Sequence, residues 1–522
     1  MSTTTQDTLR LISEAQKNAI HDDDVTRAFT QSSTATTGIT FYDLEAPSKK
    51  LYPVLTPLRN RIARRVGGRG IQSNWKAVTG VNTTNMDFGV SEGNRGGVIS
   101  QTVADYWAKF VGLGLENYTS FEADYAAEGF EDIKALAVQQ LLQATMIKEE
   151  FCDLGGNGTL ALGTTPTPTV ATSTTGGTLA AATYNVYCVA LTLQGYQQVA
   201  AVNNGTTGQS LALPTAALTA SITRANADGT SDTYGGGVAQ KSAAASQVTT
   251  GSTSTISASV TPVRGAVAYA WYWGTSGNEL LGAVTTINSV LITATATGTQ
   301  NINSVLITAT ATGTQNISAL PAADNSRNTL VYDGILTQIM KSGSGALFFD
   351  QATGTPGAGT KLTSDGAGGI NEINNDLAAF WDQYRLSPDE LYVGSQVLLD
   401  INAIIIKNGG APLIRYTLDD GGATIDAGVV IGTILNKITN TKVKVVCHPN
   451  MPPGGILYWS NTIPYPLNDV GTIMLKHLRR DYYQIEWPRR SRKYEYGVYF
   501  DGVLKCYFPP AFGLRRNIAP GN

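Results

Sequence analysis

Apolar residues fall into three spacings along the chain, and each predicts a different element. Between Ala123 and Phe151 they recur at Phe130, Ile133, Ala137, Leu141, Ala144, Ile147 and Phe151, the three-to-four spacing of one helix face. One long helix is predicted there, with Gly155-Gly156 where a left-handed cap would sit. A second helix is predicted from near Gly369, after the cap-type residues Thr363-Ser-Asp365. Its stripe is Ile373, Leu377, Trp381 and Tyr384, and Ser387-Pro388 stops it. Arg69 to Thr119 reads differently. Trp75, Val78 and Val81 lead into Gly-, Asn- and Thr-rich polar sequence, and Val98 to Val111 follow. This predicts a long two-stranded ribbon with a glycine-rich tip at Gly89 to Gly97. Such a ribbon is barely stable alone in water, so it needs a surface to lie on.

The third spacing is alternation. Val267, Tyr269, Trp271 and Trp273 alternate with mostly smaller residues, predicting a half-buried strand whose aromatic face is core, and Gly274 to Asn278 end it in a turn. Gly176 to Ala190 has the same style. From Leu160 to Ala323 the charged residues are Arg224, Asp228, Asp232, Lys241, Arg264 and Glu279, against ordinary charge density on both flanks. The block is rich in Thr, Ala, Gly, Ser and Val, the vocabulary of short strands and turns. Linker-like Thr164-Thr-Pro-Thr-Pro168 and Leu320-Pro-Ala-Ala323 border it. We read residues 166–323 as an all-β sandwich resembling immunoglobulin-like or fibronectin-type domains, inserted into a mixed α and β host. Its two ends, Thr164 and Asn325, should lie close together, and replacing it by a short linker should preserve the host. Inside it, Ile287–Asn301 recurs unchanged as Ile302–Asn316. The second copy is expected either to form a hairpin with the first or to add an edge strand.

Length and composition narrow the class. At 522 residues the chain exceeds what one core usually serves. The longest apolar stretches, such as Leu398 to Ile406, are interrupted by polar residues, well short of a membrane span. Met1 to Arg10 is polar, so no secretory signal is expected. Cys152, Cys188, Cys447 and Cys506 are scattered without metal-ligand spacing and are expected to be buried thiols. A net charge of −3 argues against condensing nucleic acid by charge alone.

The motifs that could carry chemistry fail on context. Gly89-Val-Ser-Glu-Gly93 has the form of a nucleophile elbow, but it lies in a polar ribbon rather than between a buried strand and a helix. The chain holds only His21, His448 and His477. Gly354 to Lys361 approximates a phosphate-binding loop, yet Lys361 comes one residue late and Leu362 replaces the metal-binding hydroxyl. No catalytic residue, metal site or cofactor is expected. Basic clusters stand at Arg59, Arg61, Arg64, Arg65 and Arg69, and at Arg479, Arg480, Arg489, Arg490, Arg492 and Lys493. They are read as candidates for subunit contact or DNA phosphates, against a solvated basic face. Interleaved Asp481, Glu486 and Glu495 favour ion pairs at a subunit interface over DNA contact for the second cluster.

The order of polar arm, ribbon, long helix and mixed α/β body resembles the Hong Kong 97-type major capsid proteins of tailed double-stranded-DNA bacteriophages. Phe41 to Asn60, Asn74 to Gly80, Gly89 to Gly96, Phe121 to Phe130 and Val445 to Gly454 carry the resemblance, which spans nearly all of the chain outside the insert. It implies an α+β capsid fold: an N-arm at 1–50, an E-loop and its approach at 51–122, and a spine helix opening the peripheral domain at 123–165. After the insert come peripheral domain at 324–405, axial domain at 406–475 and peripheral return strands at 476–522. It implies hexamers and pentamers in an icosahedral shell around non-specifically held double-stranded DNA, assembled in a host cytoplasm without a membrane. A portal, a separate scaffolding protein, and decoration proteins or host glycans at the insert are the expected partners. Trp75, Lys76, Glu92, Arg95 and Lys109 are the E-loop contact candidates. Lysines 76 and 109 could cross-link, as in some relatives, but no motif pins a partner asparagine. The rivals are an encapsulin-like compartment shell and a cell-surface adhesin.

Overall fold

The computed structural model describes residues 54–81, 88–99, 101–127, 132–203, 218–295, 308–309, 315–409, 414–419, 422–427, 431–461, 463, 465, 471–489 and 491–521. The chain divides into two compact units, Met1–Pro53 and Val54–Asn522, and all described residues lie in the second. The expected N-arm at 1–50 is outside them.

Seven helices are described: α1 (Pro57–Arg61), α2 (Phe121–Ala127), α3 (Ile133–Gly155), α4 (Leu193–Asn203), α5 (Ile335–Met340), α6 (Asn371–Tyr384) and α7 (Ser395–Gly409). The long helix predicted from Ala123 is therefore two helices. Asp132 starts the second by accepting the Ala135 N–H at 3.0 Å, an N-cap that sequence periodicity overlooks. Its buried face also differs from the predicted stripe. Leu141, Thr145, Glu149, Cys152 and Asp153 are buried, while Ala144, Ile147 and Phe151 are only half-buried. At its end Gly156 has φ −55°, so no left-handed cap forms. The two glycines serve packing instead: a Cβ on Gly155 would come within 2.3 Å of Leu193, and one on Gly156 within 2.4 Å of the Tyr332 carbonyl.

Helix α3 lies across a four-stranded sheet in the order β1 (Ala63–Val66), β22 (Met474–Glu486), β23 (Lys493–Cys506), β4 (Val111–Ser120). Leu141 meets Tyr496 and Val498 there. A six-stranded mixed sheet runs β15 (Leu347–Asp350), β24 (Phe512–Arg516), β21 (Ile456–Trp459), β16 (Glu390–Val393), β20 (Thr441–Cys447), β19 (Thr433–Asn436). It draws strands from all three segments after the insert. From α6, Phe380 packs on Tyr458 of this sheet with ring centroids 5.5 Å apart. Trp381, placed in the predicted stripe, is 37% exposed, because the buried face turns through Phe380. Cys447 is exposed whereas the other three thiols are buried.

The middle block forms two facing sheets, β12 (Leu280–Thr285), β11 (Ala268–Gly274), β6 (Thr183–Leu191), β9 (Ala245–Val248), and β14 (Thr308–Ala309), β13 (Ser289–Ile292), β10 (Thr255–Ser259), β5 (Thr169–Ser173). Between them Tyr269, Trp271 and Trp273 meet Ile256, Val290 and Ile292. The aromatic strand is not half-buried, as alternation predicts: Ala268 to Trp273 are buried on both faces. Ala270 and Tyr272 belong to a second core, which continues through Leu154, Tyr332 and Ile335 of the surrounding body. Polar ties reinforce that junction. Arg516 donates to the Val263 and Ala266 carbonyls at 2.6 Å, and Arg264 Nε donates to the Met340 carbonyl at 2.6 Å. The chain leaves and returns side by side, with Gly163 N–H donating to Asp324 at 3.0 Å. The second sequence copy enters as the short edge strand β14, parallel to β13, which excludes the hairpin alternative for those residues.

Candidate assembly surface

The ribbon is β2 (Gln72–Val81) paired antiparallel with β3 (Gln101–Lys109), in a register that sets Trp75 opposite Tyr106 and Lys76 opposite Asp105. Alternation along β2 decides which side meets the body. Ser73, Ala77 and Thr79 are buried and Trp75 half-buried, while Asn74 and Lys76 are exposed. Trp75 Nε1 donates to the Cys506 carbonyl at 2.8 Å, and Ser73 Oγ lies 3.0 Å from His477 Nδ1. Burial, with Lys505 and Arg65 nearby, holds His477 below its ordinary value.

Beyond that footing the ribbon turns apolar surface to solvent. Phe88 is 94% exposed, Val98 82% and Trp107 62%. Lys76, Glu92, Arg95 and Lys109 are exposed on the same ribbon, and Lys76 stands 3.9 Å from Asp105 in a pair too open to contribute much. Ser91 sits in the tip turn, where its carbonyl accepts the Asn94 N–H at 3.1 Å and its hydroxyl the Asn94 amide at 2.6 Å. The segment Gly354 to Lys361 likewise closes on itself, with Gly359 N–H donating to the Thr355 carbonyl, and no helix opens before Asn371.

The basic clusters are largely engaged within the chain. Arg59 and Arg64 reach Glu149 at 2.9 and 2.5 Å, and Arg64 also binds Asp481 at 2.5 Å. Arg61 stands 3.4 Å from Glu390, while Arg65 and Arg69 are exposed. In the second cluster Arg492 pairs with Glu122 at 2.9 Å, and Arg479 with Asp501 at 3.3 Å. Arg480 lies over Tyr483, Arg489 over Tyr494 and Lys493 over Tyr118. Arg490 lies outside the described residues.

What the sequence reading missed is the anchor beneath these arginines. Lys476, 1% exposed, reaches Glu149 at 2.6 Å and Asp153 at 2.5 Å. Tyr332 donates to Asp153 at 2.7 Å, and Tyr482 to Glu149. Next to Glu149 in the helix, Glu150 accepts the Leu58 and Arg59 N–H groups at 2.9 and 2.6 Å and lies 2.6 Å from His448 Nε2. Burial works against the Glu149 charge, but Lys476 and then Arg64 pull its carboxyl down to about 2. At Asp153 burial outweighs Lys476 and lifts the carboxyl to about 6. The network ties α1, α3 and β22 together across 327 residues of sequence. A helical run of Lys148-Glu-Glu150 looks like solvated surface, so no local signal announces it. Among the described residues no group of His, Cys, Asp or Glu could hold a metal ion, and no helix is long and apolar enough to cross a membrane.

The sequence matches no family model and no curated protein. Among solved structures, the capsid of Myoviridae phage XM1 is similar at 10% identity and a TM-score of 0.38, covering 92% of this chain and 99% of that one. The capsid of a native GTA particle gives 9% identity and 0.40, covering 94% and 99%. The SrpI encapsulin from Synechococcus elongatus gives 12% identity and 0.22, covering 36% and 57%. These likenesses are loose.

Proposed function

We propose that this chain is a shell-building subunit, the major capsid protein of a tailed double-stranded-DNA phage with the Hong Kong 97-type fold. The observation that carries the reading is the ribbon: it is pinned at its base by Trp75 and Ser73, while Phe88, Val98 and Trp107 stay uncovered. Large apolar side chains spread along a polar arm mark a surface that another protein covers. A second copy of the chain is that cover, because a closed shell repeats one contact many times. The ribbon is then the E-loop and α3 the spine helix on its peripheral sheet, with residues 406–475 the axial domain. Arms that lie across neighbours bury area while tolerating the small angular changes between hexamers and pentamers. Several thousand Å² buried per subunit, on the order of obligate assemblies, would be shared among many modest edges.

The sandwich is proposed as an outward-facing immunoglobulin-like decoration that stands fixed on the body, where host glycans or decoration proteins would meet it. A portal, a scaffold and non-specifically held DNA are the remaining proposed partners, with Arg61, Arg65 and Arg69 the exposed cations of the first cluster. Hydrogen exchange tests the reading. Amides of residues 88–99, the ribbon's tip beyond the footing, should exchange fast in free subunits and slowly in assembled particles, while those of β4 stay protected in both. Equal protection in both states overturns the ribbon's role.

A further inference from the structure

The duplicated segment is used in an uneven way. From the first copy the sandwich takes the front: Val290 and Ile292 fill the core between the sheets, and Asn288 Nδ2 donates to the Val260 carbonyl at 2.6 Å and to Thr353 Oγ1 at 2.8 Å. The Thr293 carbonyl accepts the Thr178 N–H, and that of Ala294 accepts Trp273 Nε1 at 3.1 Å. From the second copy it takes the back. The Gln315 side chain clasps both Leu218 backbone groups, at 2.7 and 2.9 Å, while the Gln315 carbonyl accepts the Leu281 N–H at 3.0 Å. Each of these residues also has a twin 15 positions away.

We infer that the two copies compete for one strand position, so that Ser304–Ile307 can replace Ser289–Ile292 by a register shift of one whole repeat. In the shifted register Asn303 takes the bonds of Asn288, and the carbonyls of Thr308 and Ala309 take those of Thr293 and Ala294. The side-chain contacts are the same because the side chains are the same. The chain still reaches its anchor. The Ala294 carbonyl binds the Trp273 side chain and the Gln315 carbonyl the Leu281 N–H, on the neighbouring strands β11 and β12, and the two sheets stack about 10 Å apart. The five residues Thr310 to Thr314 can extend to about 17 Å. What the shift loses is the pairing of Thr308–Ala309 with Leu291–Ile292. The shift moves the extra 15 residues from one side of the strand to the other, and closure entropy depends only weakly on loop length.

The experiment uses the full chain and a charge in the core position of each copy: Val290→Asp, Val305→Asp, and both together. Thermal unfolding and near-ultraviolet circular dichroism from Trp271 and Trp273 report the sandwich. Each single variant should keep the parent spectrum and melt within a few degrees of it, while the double variant loses the sandwich signal. A Val290→Asp chain as damaged as the double variant overturns the inference. Deleting residues 287–301, which yields the same chain as deleting 302–316, should leave the spectrum intact. Failure of that shortened chain to fold also overturns it.

Discussion

Replacing Lys476 by methionine keeps much of the side-chain volume and removes one charge from the anchor beneath the first basic cluster. Glu149 keeps Arg59 and Arg64, so the uncompensated charge falls on Asp153, left with only the Tyr332 hydroxyl. Asp153 escapes by holding a proton. Keeping a carboxyl protonated costs about 1.4 kcal/mol for each pH unit above its unfolded value near 3.9. In the parent chain that cost stops growing at about pH 6, where Asp153 ionises; in the variant it continues to rise. With the lost bond to Glu149 added, the variant should be about 3–4 kcal/mol less stable at pH 8, within the range for breaking buried ion pairs. At pH 5 Asp153 is protonated in both chains and the deficit should shrink to about 1 kcal/mol.

The sign is consistent with linkage in the parent. A carboxyl raised by burial penalises folding above about pH 6, and the penalty is relieved as pH falls toward 4. Glu149, held down to about 2, stabilises above its ordinary value and loses that contribution as pH drops from about 4.5 toward 2. Urea unfolding of free subunits, followed by tryptophan fluorescence at pH 8 and pH 5, measures both deficits. Equal deficits at the two pH values, or none at pH 8, would refute the assignment of the buried charge to Asp153.

Three further outcomes follow from the same contacts. Glu150→Ala strips the acceptor from two N–H groups and from His448, and should cost about 3 kcal/mol while speeding hydrogen exchange at Leu58 and Arg59. Ser91→Ala should change stability by no more than about 0.5 kcal/mol, since its bonds lie in an exposed turn, and no serine-directed probe should label the wild type. Replacing Pro166–Ala323 by a short linker should yield aggregated chains, because Leu154, Tyr332 and Ile335 lose the sandwich face that completes their core; soluble, cooperatively folding truncated chains would show that the two cores are separable.

That last outcome reverses what the sequence suggests, and the reason is instructive. Low charge and proline-rich borders mark 166–323 as a distinct all-β segment; two facing sheets do form there, but with helix α4 (Leu193–Asn203) among their strands. Alternation, however, describes one face of a strand. The second face of β11 carries Ala270 and Tyr272, a small residue and an aromatic one that pattern alone leaves ambiguous. The ribbon was legible because its apolar runs flank a glycine-rich tip, and its footing on Cys506 was not, because that partner is 431 residues away. Helix α3 was legible in extent beyond Asp132 but not in orientation. Its inward face is acidic, and acidic residues turn inward only where distant cations such as Lys476, Arg59 and Arg64 wait for them. Basic residues in the sequence were read as surface for a partner, whereas most of them complete ion pairs or ring contacts of their own chain.

Another copy of the chain is the proposed cover of the exposed ribbon. Electron microscopy of the purified protein, beside a Phe88→Ser/Trp107→Ser variant, tests it most directly. Closed particles, rings or curved sheets of subunits from the parent chain, and dispersed subunits of unchanged fold from the variant, are the predicted result. A parent chain that stays monomeric at high concentration, or a variant that assembles as well as the parent, would contradict it.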